Sequence, residues 1–335
     1  METKNINLQS QINTLNQENW NSLLSDSFDY NIFQSYEWGE LKRYSGWTPV
    51  RIQILDNGQA KLAAQILVKS ILGNKVSWCP GGPLINAKNA SEGKTILEKF
   101  KDCVLSEGII NLRCKSYSKI DDLNTSLFSL FPKSSNNITS SKSIIHKITN
   151  VDEFLQNVRK KHRYSIKQSE KNDFTWEALD NIDGINYFLD TYKVMSAAKN
   201  LKLPLVDLKK LREFNNSKFK LISFCGFENN ICLTSCIVSI FNKKAFYHYA
   251  ATTDIGRDKS ASYGMIYNLM KYLQSIEVEE LDFGGLSEDG SSAGVDFFKE
   301  GFNGEVVNRI GEFDIAKSNL YRYIFNKVIQ FKSFN

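Results

Sequence analysis

Hydrophobic and polar positions alternate along the chain in two successive series that have a similar order. The first series predicts two helices, three strands, a helix and a strand, at 8–25, 35–44, 48–55, 60–72, 75–78, 90–107 and 109–114. The second predicts a basic helix, a strand, two helices, three strands, a helix and a strand, at 151–171, 174–178, 183–199, 207–216, 219–226, 231–241, 244–251, 260–276 and 279–283. Each series therefore contains hairpin strands followed by a helix and a strand, which predicts a duplicated α/β unit.

Composition agrees with a folded protein of more than one domain. The chain has 335 residues, of which 42% are hydrophobic and 24% are charged, so it can bury a large core and about two domains are expected. Disordered, collagen-like and disulfide-scaffold classes are excluded. Serine, asparagine and one proline crowd together at 131–143, which is where we place the domain boundary.

The cysteines and the N-terminus indicate a reducing compartment. The six cysteines include no C-x-x-C pair and have no histidine at zinc-ligand spacing, so we expect free buried thiols and no metal site. The first twenty residues have no signal-peptide pattern. The most apolar stretch, 231–241, is too short to span a bilayer. These features predict a cytoplasmic protein.

A basic cluster at the start of the second series is the strongest charge signal. Net charge is only +5, but Arg159, Lys160, Arg163 and Lys167 lie in one predicted helix. Arg163, Lys167 and Lys171 recur every four residues, so they would share a helix face that could follow a phosphate backbone or an anionic head group. The alternative interpretation is an ordinary solvated face.

Common catalytic signatures are missing from the sequence. There is no P-loop, no G-x-S-x-G, no H-E-x-x-H and no paired G-x-G-x-x-G after a strand. The three histidines, His146, His162 and His248, supply little for acid–base catalysis. The glycine pair Gly284–Gly285 follows a predicted strand, where it lets the backbone approach a ligand or simply forms a turn.

Several short motifs occur in an order that resembles one protein family. They are FQSYEWGELK at 33–42 with GW at 46–47, WCPGGP at 78–83, RKKHRYSIKQSEK at 159–171, LDFGGL at 281–286, FFKEGF at 297–302 and GEF at 311–313. This ordered set resembles the FemABX family of non-ribosomal peptidyl transferases.

The resemblance implies a fold and an activity. The implied fold is α/β, with two tandem GNAT-like domains packed around a cleft and without a long coiled-coil arm. The first domain would cover 1–143 and be completed by the C-terminal helix at about 314–335, and the second would cover 144–313. The implied reaction moves an amino acid from aminoacyl-tRNA to an amine of a peptidoglycan precursor or related cell-envelope acceptor, with no other cofactor.

The resemblance also assigns roles to individual residues. Lys42 matches a lysine that contacts acceptor phosphate, and Lys299 matches a lysine near the reacting groups. Further substrate-binding candidates are Trp38, Tyr247, Tyr249, Gly284 and Gly285, and tRNA-binding candidates are Arg159, Lys160, Arg163 and Lys167. Such a protein would act as a monomer in the cytoplasm or at the inner face of the cell membrane, with peripheral membrane contact if the acceptor is lipid-linked.

Two departures from the family pattern leave the acceptor open. Arg113-Cys114-Lys115 lacks the carboxylate that many relatives carry there, and Leu203 precedes Pro204 where compact members place an arginine. The alternative function is an acyl-CoA N-acyltransferase that acts on an amino sugar or peptide amine, since GNAT domains in general bind CoA pyrophosphate through backbone amides at a helix start. Its pyrophosphate loop would lie at 257–264, which lacks the usual glycine pair. A non-catalytic RNA- or membrane-surface-binding protein is the third hypothesis, supported by the basic helix and the C-terminal segment 320–332.

Overall fold

A computed structural model describes the protein over residues 7–71, 73–135, 137–199 and 208–333. The chain forms two compact units: the first contains residues up to 141 together with those from 308 onward, and the second contains 142–307. The segment with Leu203 and Pro204 lies outside the described residues.

The first unit is built on a mixed sheet. Its strands and helices up to the boundary are β1 (Leu8–Ile12), α1 (Gln17–Ser27), α2 (Tyr36–Arg43), β2 (Thr48–Asp56), β3 (Gln59–Ile71), β4 (Asn74–Pro80), β5 (Leu84–Ile85), α3 (Ala90–Ser106), β6 (Ile109–Lys119) and α4 (Asp122–Phe128). A short 3₁₀ helix, Ile32–Gln34, precedes α2.

The second unit repeats much of this order before the chain returns to the first. Its elements are β7 (Lys142–Lys147), α5 (Val151–Asn157), α6 (Lys160–Ser169), β8 (Thr175–Leu179), α7 (Ile182–Lys199), α8 (Leu208–Arg212), β9 (Phe219–Glu228), β10 (Ile231–Phe241), β11 (Lys244–Thr252), α9 (Asp254–Asp258), α10 (Ala261–Ser275), β12 (Glu280–Gly285) and α11 (Ala293–Glu300). The returning elements are β13 (Glu305–Ala316) and α12 (Asn319–Ser333).

The two sheets have matching strand orders. In the first unit the order is β1-β2-β3-β4-β6-β13, with β5 beside β3; in the second it is β8-β9-β10-β11-β12-β7. In each unit the helix after the antiparallel hairpins, α3 or α10, leads into a strand that pairs in parallel, β4 with β6 and β11 with β12. The duplicated order that the sequence predicts is therefore confirmed.

Each unit has its own hydrophobic core. In the first unit α3 packs on one face of the sheet through buried residues such as Ile96, Leu97 and Phe100. In the second unit α10 does so through Ile266, Leu269, Met270 and Leu273, which are the predicted stripe at helical spacing.

The return to the first unit begins at Asn308 rather than at the predicted 314. The reason is the pairing of β13, whose residues Gly311–Ala316 run antiparallel to β6. Patterns in the sequence predicted neither β13 nor β7, the last strand in the order of the second unit.

The predicted helix at 8–25 is wrong in its first half. Leu8–Ile12 forms an edge strand that pairs with Ile52–Asp56, and the helix begins only after Asn16. The Asn16 side chain caps it by accepting a hydrogen bond from the N–H of Asn19 at 2.9 Å.

Candidate functional site

The QS pair of the first motif attaches α2 to the sheet of the first unit. The Gln34 side chain accepts from the N–H of Gln65 at 2.7 Å and donates to the carbonyl of Pro80 at 2.7 Å. The Ser35 hydroxyl caps α2 by accepting from the N–H of Trp38 at 3.2 Å. The motif therefore fixes the helix that carries Lys42 against two strands.

Lys42 lies over an aromatic platform at the end of α2. Its ammonium is 4.7 Å from the centroid of the Trp38 ring, and Phe33 packs edge-on to that ring with centroids 5.0 Å apart. Only 6% of Trp38 is exposed. Trp38 is thus placed to support Lys42, and its predicted role in substrate binding stays a prediction.

The charge of Lys42 has no carboxylate partner among the residues that the structure describes. Glu37 accepts hydrogen bonds from Gln17 and Asn21, and Glu40 pairs with Arg51 at 3.0 Å, so both glutamates of α2 are engaged elsewhere. Within the described ranges Lys42 forms no ion pair. Burial lowers its pKa from the ordinary value. A half-buried ammonium in this state attracts an external anion.

Arg113, by contrast, is fully engaged inside the first unit. Its guanidinium is completely buried and pairs with Asp314 at 2.9 Å. It also donates to Asn326 of α12 at 2.6 Å, and the Glu312 carboxylate lies 3.6 Å away. The Arg113-Cys114-Lys115 segment therefore holds β13 and α12 on β6.

Lys299 occupies an open position in the second unit, beside the end of β12. Its ammonium donates to the carbonyl of Gly285 at 2.7 Å, and it forms no ion pair within the part of the chain that the structure describes. Burial lowers the pKa of Lys299, while the carboxylates of Asp296 and Asp282 act in the opposite direction.

Gly284 gives the end of β12 its shape. Its φ is +75°, in the region that side chains disfavour, and its N–H donates to the Asp282 carboxylate at 2.7 Å. A Cβ at this position would lie 3.9 Å from the Lys299 ammonium and 3.5 Å from the Phe246 ring, which are ordinary contacts. The LDFGGL motif thus brings the Gly284–Gly285 backbone to Lys299; the predicted approach of this backbone to a ligand stays a prediction.

Tyr247 and Tyr249 do not share a face of their strand. Val238 pairs with Tyr247 and Ile237 pairs with Tyr249, so His248 is an extra residue in a bulge. Tyr247 packs into the α10 side of the core, with its ring centroid 5.4 Å from that of Phe283. Burial raises the pKa of both phenols.

Tyr249 lies on the opposite face, toward α7. Its ring packs near Phe188, at a centroid distance of 6.4 Å, and the phenol of Tyr192 also raises its pKa. The two tyrosines therefore face opposite sides of their strand, because a single-residue bulge, which is invisible in a strand pattern, separates them. Their assignment to substrate binding stays a prediction.

The same bulge presents groups that the sequence analysis did not assign. His248 and Ser239 are hydrogen-bonded through Nε2 and Oγ at 2.6 Å, and the His248 ring packs against Phe246 at 4.8 Å. Phe246 in turn pairs with Asp282 on β12. These residues adjoin the strand end that carries Gly284, and only the fold brings them there.

The predicted basic helix at 151–171 is two helices. Val158 is buried and extended, and the N–H of Arg159 donates to the carbonyl of Gly301 at 3.0 Å, so the helix breaks to bond the end of α11. Lys171 lies beyond the end of α6. The predicted line of Arg163, Lys167 and Lys171 along one helix face is therefore wrong.

The cations of this segment divide into two kinds. Arg163 donates to the carbonyls of Gln156 and Val158 at 2.8 and 3.0 Å, so it caps α5, and the Arg159 guanidinium lies 3.7 Å from the carboxylate of Glu300. Lys160 and Lys167 are exposed. An external polyanion would meet the two lysines first.

Exposed aromatic rings accompany these lysines. Tyr164 on α6 is 63% exposed and Phe297 on α11 is 45% exposed. The ammonium of Lys161 lies 5.6 Å from the Phe297 ring centroid. Exposed rings among cations can stack on bases. We call Lys160, Lys161, Tyr164, Lys167 and Phe297 the basic aromatic patch.

A buried histidine connects the patch to the helix of Lys299. His162 is fully buried, and its Nε2 is 3.1 Å from the carbonyl of Phe298. Gly301 leaves the space for it, since a Cβ there would lie 2.0 Å from the imidazole ring. Burial lowers the pKa of His162. No local pattern indicates this contact, because His162 and Phe298 are 136 positions apart along the chain.

The segment expected to bind CoA pyrophosphate is a helical turn. Backbone N–H groups of Arg257, Lys259 and Ser260 donate to carbonyls of Thr253, Ile255 and Arg257. These amides are thus occupied within the chain, unlike the free amides that an anion-binding loop presents.

No group of three or more histidine, cysteine or acidic residues within the described ranges could hold a metal ion. No helix in the same ranges is both long and apolar enough to cross a membrane.

Comparison with known proteins decides the family. The model of the FemAB family matches residues 149–329, more than half of the chain. The chain belongs to the FemAB family. A lipid II:glycine glycyltransferase of Staphylococcus haemolyticus is 22% identical to this FemAB protein, with 88% of this chain and 90% of the relative covered. The corresponding protein of Staphylococcus aureus is 21% identical over the same shares.

Solved structures show the same fold for this FemAB protein. The crystal structure of FemX matches with a TM-score of 0.81 at 16% identity and covers 94% of this chain and all of that one. A tandem GNAT protein from the clavulanic acid biosynthesis pathway matches with a TM-score of 0.54 at 9% identity, over 93% of this chain and all of that one. The predicted fold class of tandem GNAT-like domains is confirmed.

Proposed function

We propose that this FemAB protein moves an amino acid from aminoacyl-tRNA to an amine of a peptidoglycan precursor or related cell-envelope acceptor. The observation that carries the proposal is Lys299, a half-buried ammonium without a carboxylate partner among the described residues, held at the Gly284–Gly285 strand end. The names of the staphylococcal relatives supply the acceptor class, lipid II.

The reaction places modest demands on the protein. The acceptor amine attacks the ester carbonyl carbon, a C–N bond forms, the ester C–O bond breaks, the amine loses a proton and the tRNA 3′-hydroxyl leaves. The ester is already activated, so alignment and stabilisation of the developing oxyanion are the main requirements. One Lys299 proton bonds Gly285, which leaves two donors for that oxyanion or for an acceptor carboxylate.

Lys42 holds the acceptor in this proposal. Its ammonium is desolvated and unpaired within the described part of the chain, so it suits a phosphate of a nucleotide- or lipid-linked precursor. The platform of Trp38 and Phe33 keeps it in place.

The basic aromatic patch steers the RNA. Lys160 and Lys167 contribute charge for phosphates, and Tyr164 and Phe297 offer rings for unpaired bases. The patch belongs to the same unit as Lys299, and the contact from His162 to Phe298 joins the two helices. Arg159 and Arg163 have structural partners, so we propose smaller contributions from them.

Label transfer tests the proposal. Purified protein is incubated with radiolabelled aminoacyl-tRNAs and extracted envelope precursors, with an RNase-treated pool and labelled acetyl-CoA as parallel donors. We expect RNase-sensitive transfer that Lys299→Ala reduces by about 100-fold, whereas Lys243→Ala, at an exposed ion pair, retains it. Transfer from acetyl-CoA alone would assign the alternative acyl-CoA chemistry, and absence of transfer from both donors would contradict the proposal.

A further inference from the structure

The C-terminal helix α12 exposes an apolar stripe. Leu320, Tyr323 and Ile324 are 65%, 62% and 49% exposed, and with Lys327 they follow the i, i+3, i+4, i+7 spacing of one helix face. The opposite face is fixed, because Asn326 is buried and bonded to Arg113 and Asp314. The stripe is therefore held outward by the helix's own attachment.

The charged side chains of the C-terminal segment are all positive. From residue 317 to the end of the sequence there are four cations, Lys317, Arg322, Lys327 and Lys332, and no acidic residue. Lys317 and Lys327 are exposed at the two ends of the stripe, and the ammonium of Lys327 lies 5.8 Å from the Tyr323 ring. Leucine, isoleucine, tyrosine and lysine on one exposed face match the interface of an anionic bilayer.

The position of α12 in the first unit connects the stripe to Lys42. Arg113, which bonds α12, faces the side of the sheet opposite the α3 core, since its neighbours Leu112 and Cys114 belong to that core. Gln65 bonds the Ser35 carbonyl ahead of α2, and its neighbours Ala64 and Ile66 likewise lie in the α3 core. Helices α2 and α12 thus cover the same side of one sheet.

We propose that the outer face of α12, comprising Leu320, Tyr323, Ile324 and Lys327, docks on an anionic phospholipid membrane together with Lys317, which lies just ahead of the helix. This inference deepens the proposed function, because a membrane-bound helix on the Lys42 side of the unit brings that ammonium toward the head group of a lipid-linked acceptor. Binding to the membrane itself requires no turnover. A second copy of this chain is a poorer occupant, because it would bring the same cations to the contact.

Vesicle co-sedimentation tests the docking. The full-length protein is mixed with vesicles of phosphatidylcholine alone or of equal parts phosphatidylcholine and phosphatidylglycerol. We expect binding to the anionic vesicles that salt weakens. Replacing Leu320, Tyr323 and Ile324 together by serine, or reversing charge with Lys317→Glu and Lys327→Glu, should weaken binding by about tenfold or more.

Matched controls separate this surface from general stickiness. Ile231→Ser and Ile255→Ser remove exposed apolar side chains of the second unit, where the residues are 63% and 59% exposed, and should leave vesicle binding unchanged. Equal binding by the α12 variants would overturn the proposal. Sedimentation velocity showing a dimer that the triple serine variant dissolves would also overturn it, in favour of a contact between copies.

Transfer assays keep this inference distinct from the proposed function. With a water-soluble acceptor analogue the α12 variants should match wild type, whereas with a lipid-linked acceptor in anionic vesicles their rate should fall by about tenfold. If the protein binds vesicles through α12 but transfers no amino acid, the docking surface is supported and the proposed reaction is contradicted.

Discussion

The two units share a strand order but differ at the strand that follows the central helix. In the first unit that strand, β6, carries Arg113, a fully buried cation with carboxylate and amide partners. In the second unit the corresponding strand, β12, ends at Gly284–Gly285 beside Lys299, a half-buried cation without a carboxylate partner in the described ranges. The same scaffold thus uses one buried cation to close the fold and leaves another available for chemistry.

The difference follows from what covers each strand. The chain returns through β13 and α12 to supply Asp314 and Asn326 to Arg113. In the second unit the strand at the corresponding place in the order, β7, carries instead His146, which is buried among the rings of Phe154 and Phe283. A buried charge that loses its partner destabilises a fold, so the paired Arg113 is committed to the structure, whereas a cation without a carboxylate partner retains its capacity to bind a ligand.

The largest expected effect comes from breaking the closed side. Arg113→Met should lower the free energy of unfolding by about 3–5 kcal/mol, since it leaves the Asp314 carboxylate buried without its cation. Denaturant titration measures this. Arg159→Met is the control, because that half-exposed pair at 3.7 Å should contribute less than about 1 kcal/mol. Equal losses of stability in the two variants would contradict the difference between the buried, paired Arg113 and the half-exposed Arg159.

Acid should destabilise the second unit through His146. All three histidines lie in that unit, and burial lowers the pKa of His146 from 6.5 to about 4. The neutral ring is therefore favoured in the fold: its stabilising contribution is complete above pH 6.5 and is lost as pH falls toward 4, by up to about 3 kcal/mol.

Denaturant titrations of wild type and His146→Leu above pH 6.5 and near pH 4 measure this contribution. On acidification the free energy of unfolding should fall more in wild type than in His146→Leu. Parallel pH profiles would show that the buried ring does not titrate as described.

Weakening the basic aromatic patch should reduce RNA affinity. Lys160→Ala with Lys167→Ala removes two phosphate contacts, so the slope of log K against log salt for single-stranded RNA should fall by about 1.4, and affinity by about tenfold. Filter binding at several salt concentrations measures this. The control is Lys88→Ala with Lys133→Ala, which makes the same charge change at exposed sites of the first unit. An equal loss of RNA affinity in that variant would show that net charge, and not the patch, determines the affinity.

The smallest effect tests the shape of the β12 end. Gly284→Ala places a side chain at φ +75° and should cost about 1 kcal/mol of stability. Gly294→Ala on α11, where a Cβ meets nothing within 4 Å, should be neutral or mildly stabilising. Thermal melts measure the stability of the two variants. Equal melting temperatures would contradict the role of Gly284 in shaping the end of β12.

Local patterns in the sequence predicted much of the scaffold. Period-two runs and the stripe from Ile266 to Leu273 are sufficient for the order of hairpins, helix and strand, because those contacts form between neighbouring segments. The Gln34–Ser35 motif also acts locally in part, through the cap on α2.

The parts that escaped prediction depend on distant partners. β13 meets β6 through residues such as Asp314 and Arg113, which are 201 positions apart, and no periodicity reports such pairing. The helix breaks at Val158, where the N–H of Arg159 donates to the carbonyl of Gly301. The bulge at His248 places Tyr247 and Tyr249 on opposite faces of their strand. The residue types in the motifs were therefore enough to name candidate site residues, but where their side chains lie depends on tertiary contacts.

The division of work between Lys42 and Lys299 is the central claim, and steady-state transfer kinetics with varied acceptor tests it most directly. The account predicts that Lys42→Ala raises KM for the acceptor by about tenfold with little change in kcat, while Lys299→Ala lowers kcat by about 100-fold with KM retained. Because the proposal assigns acceptor binding to Lys42 and the chemical step to Lys299, the double variant should show both changes. The free-energy losses of the two single variants should add. A loss of kcat in Lys42→Ala equal to that in Lys299→Ala, or full activity in Lys299→Ala, would contradict it.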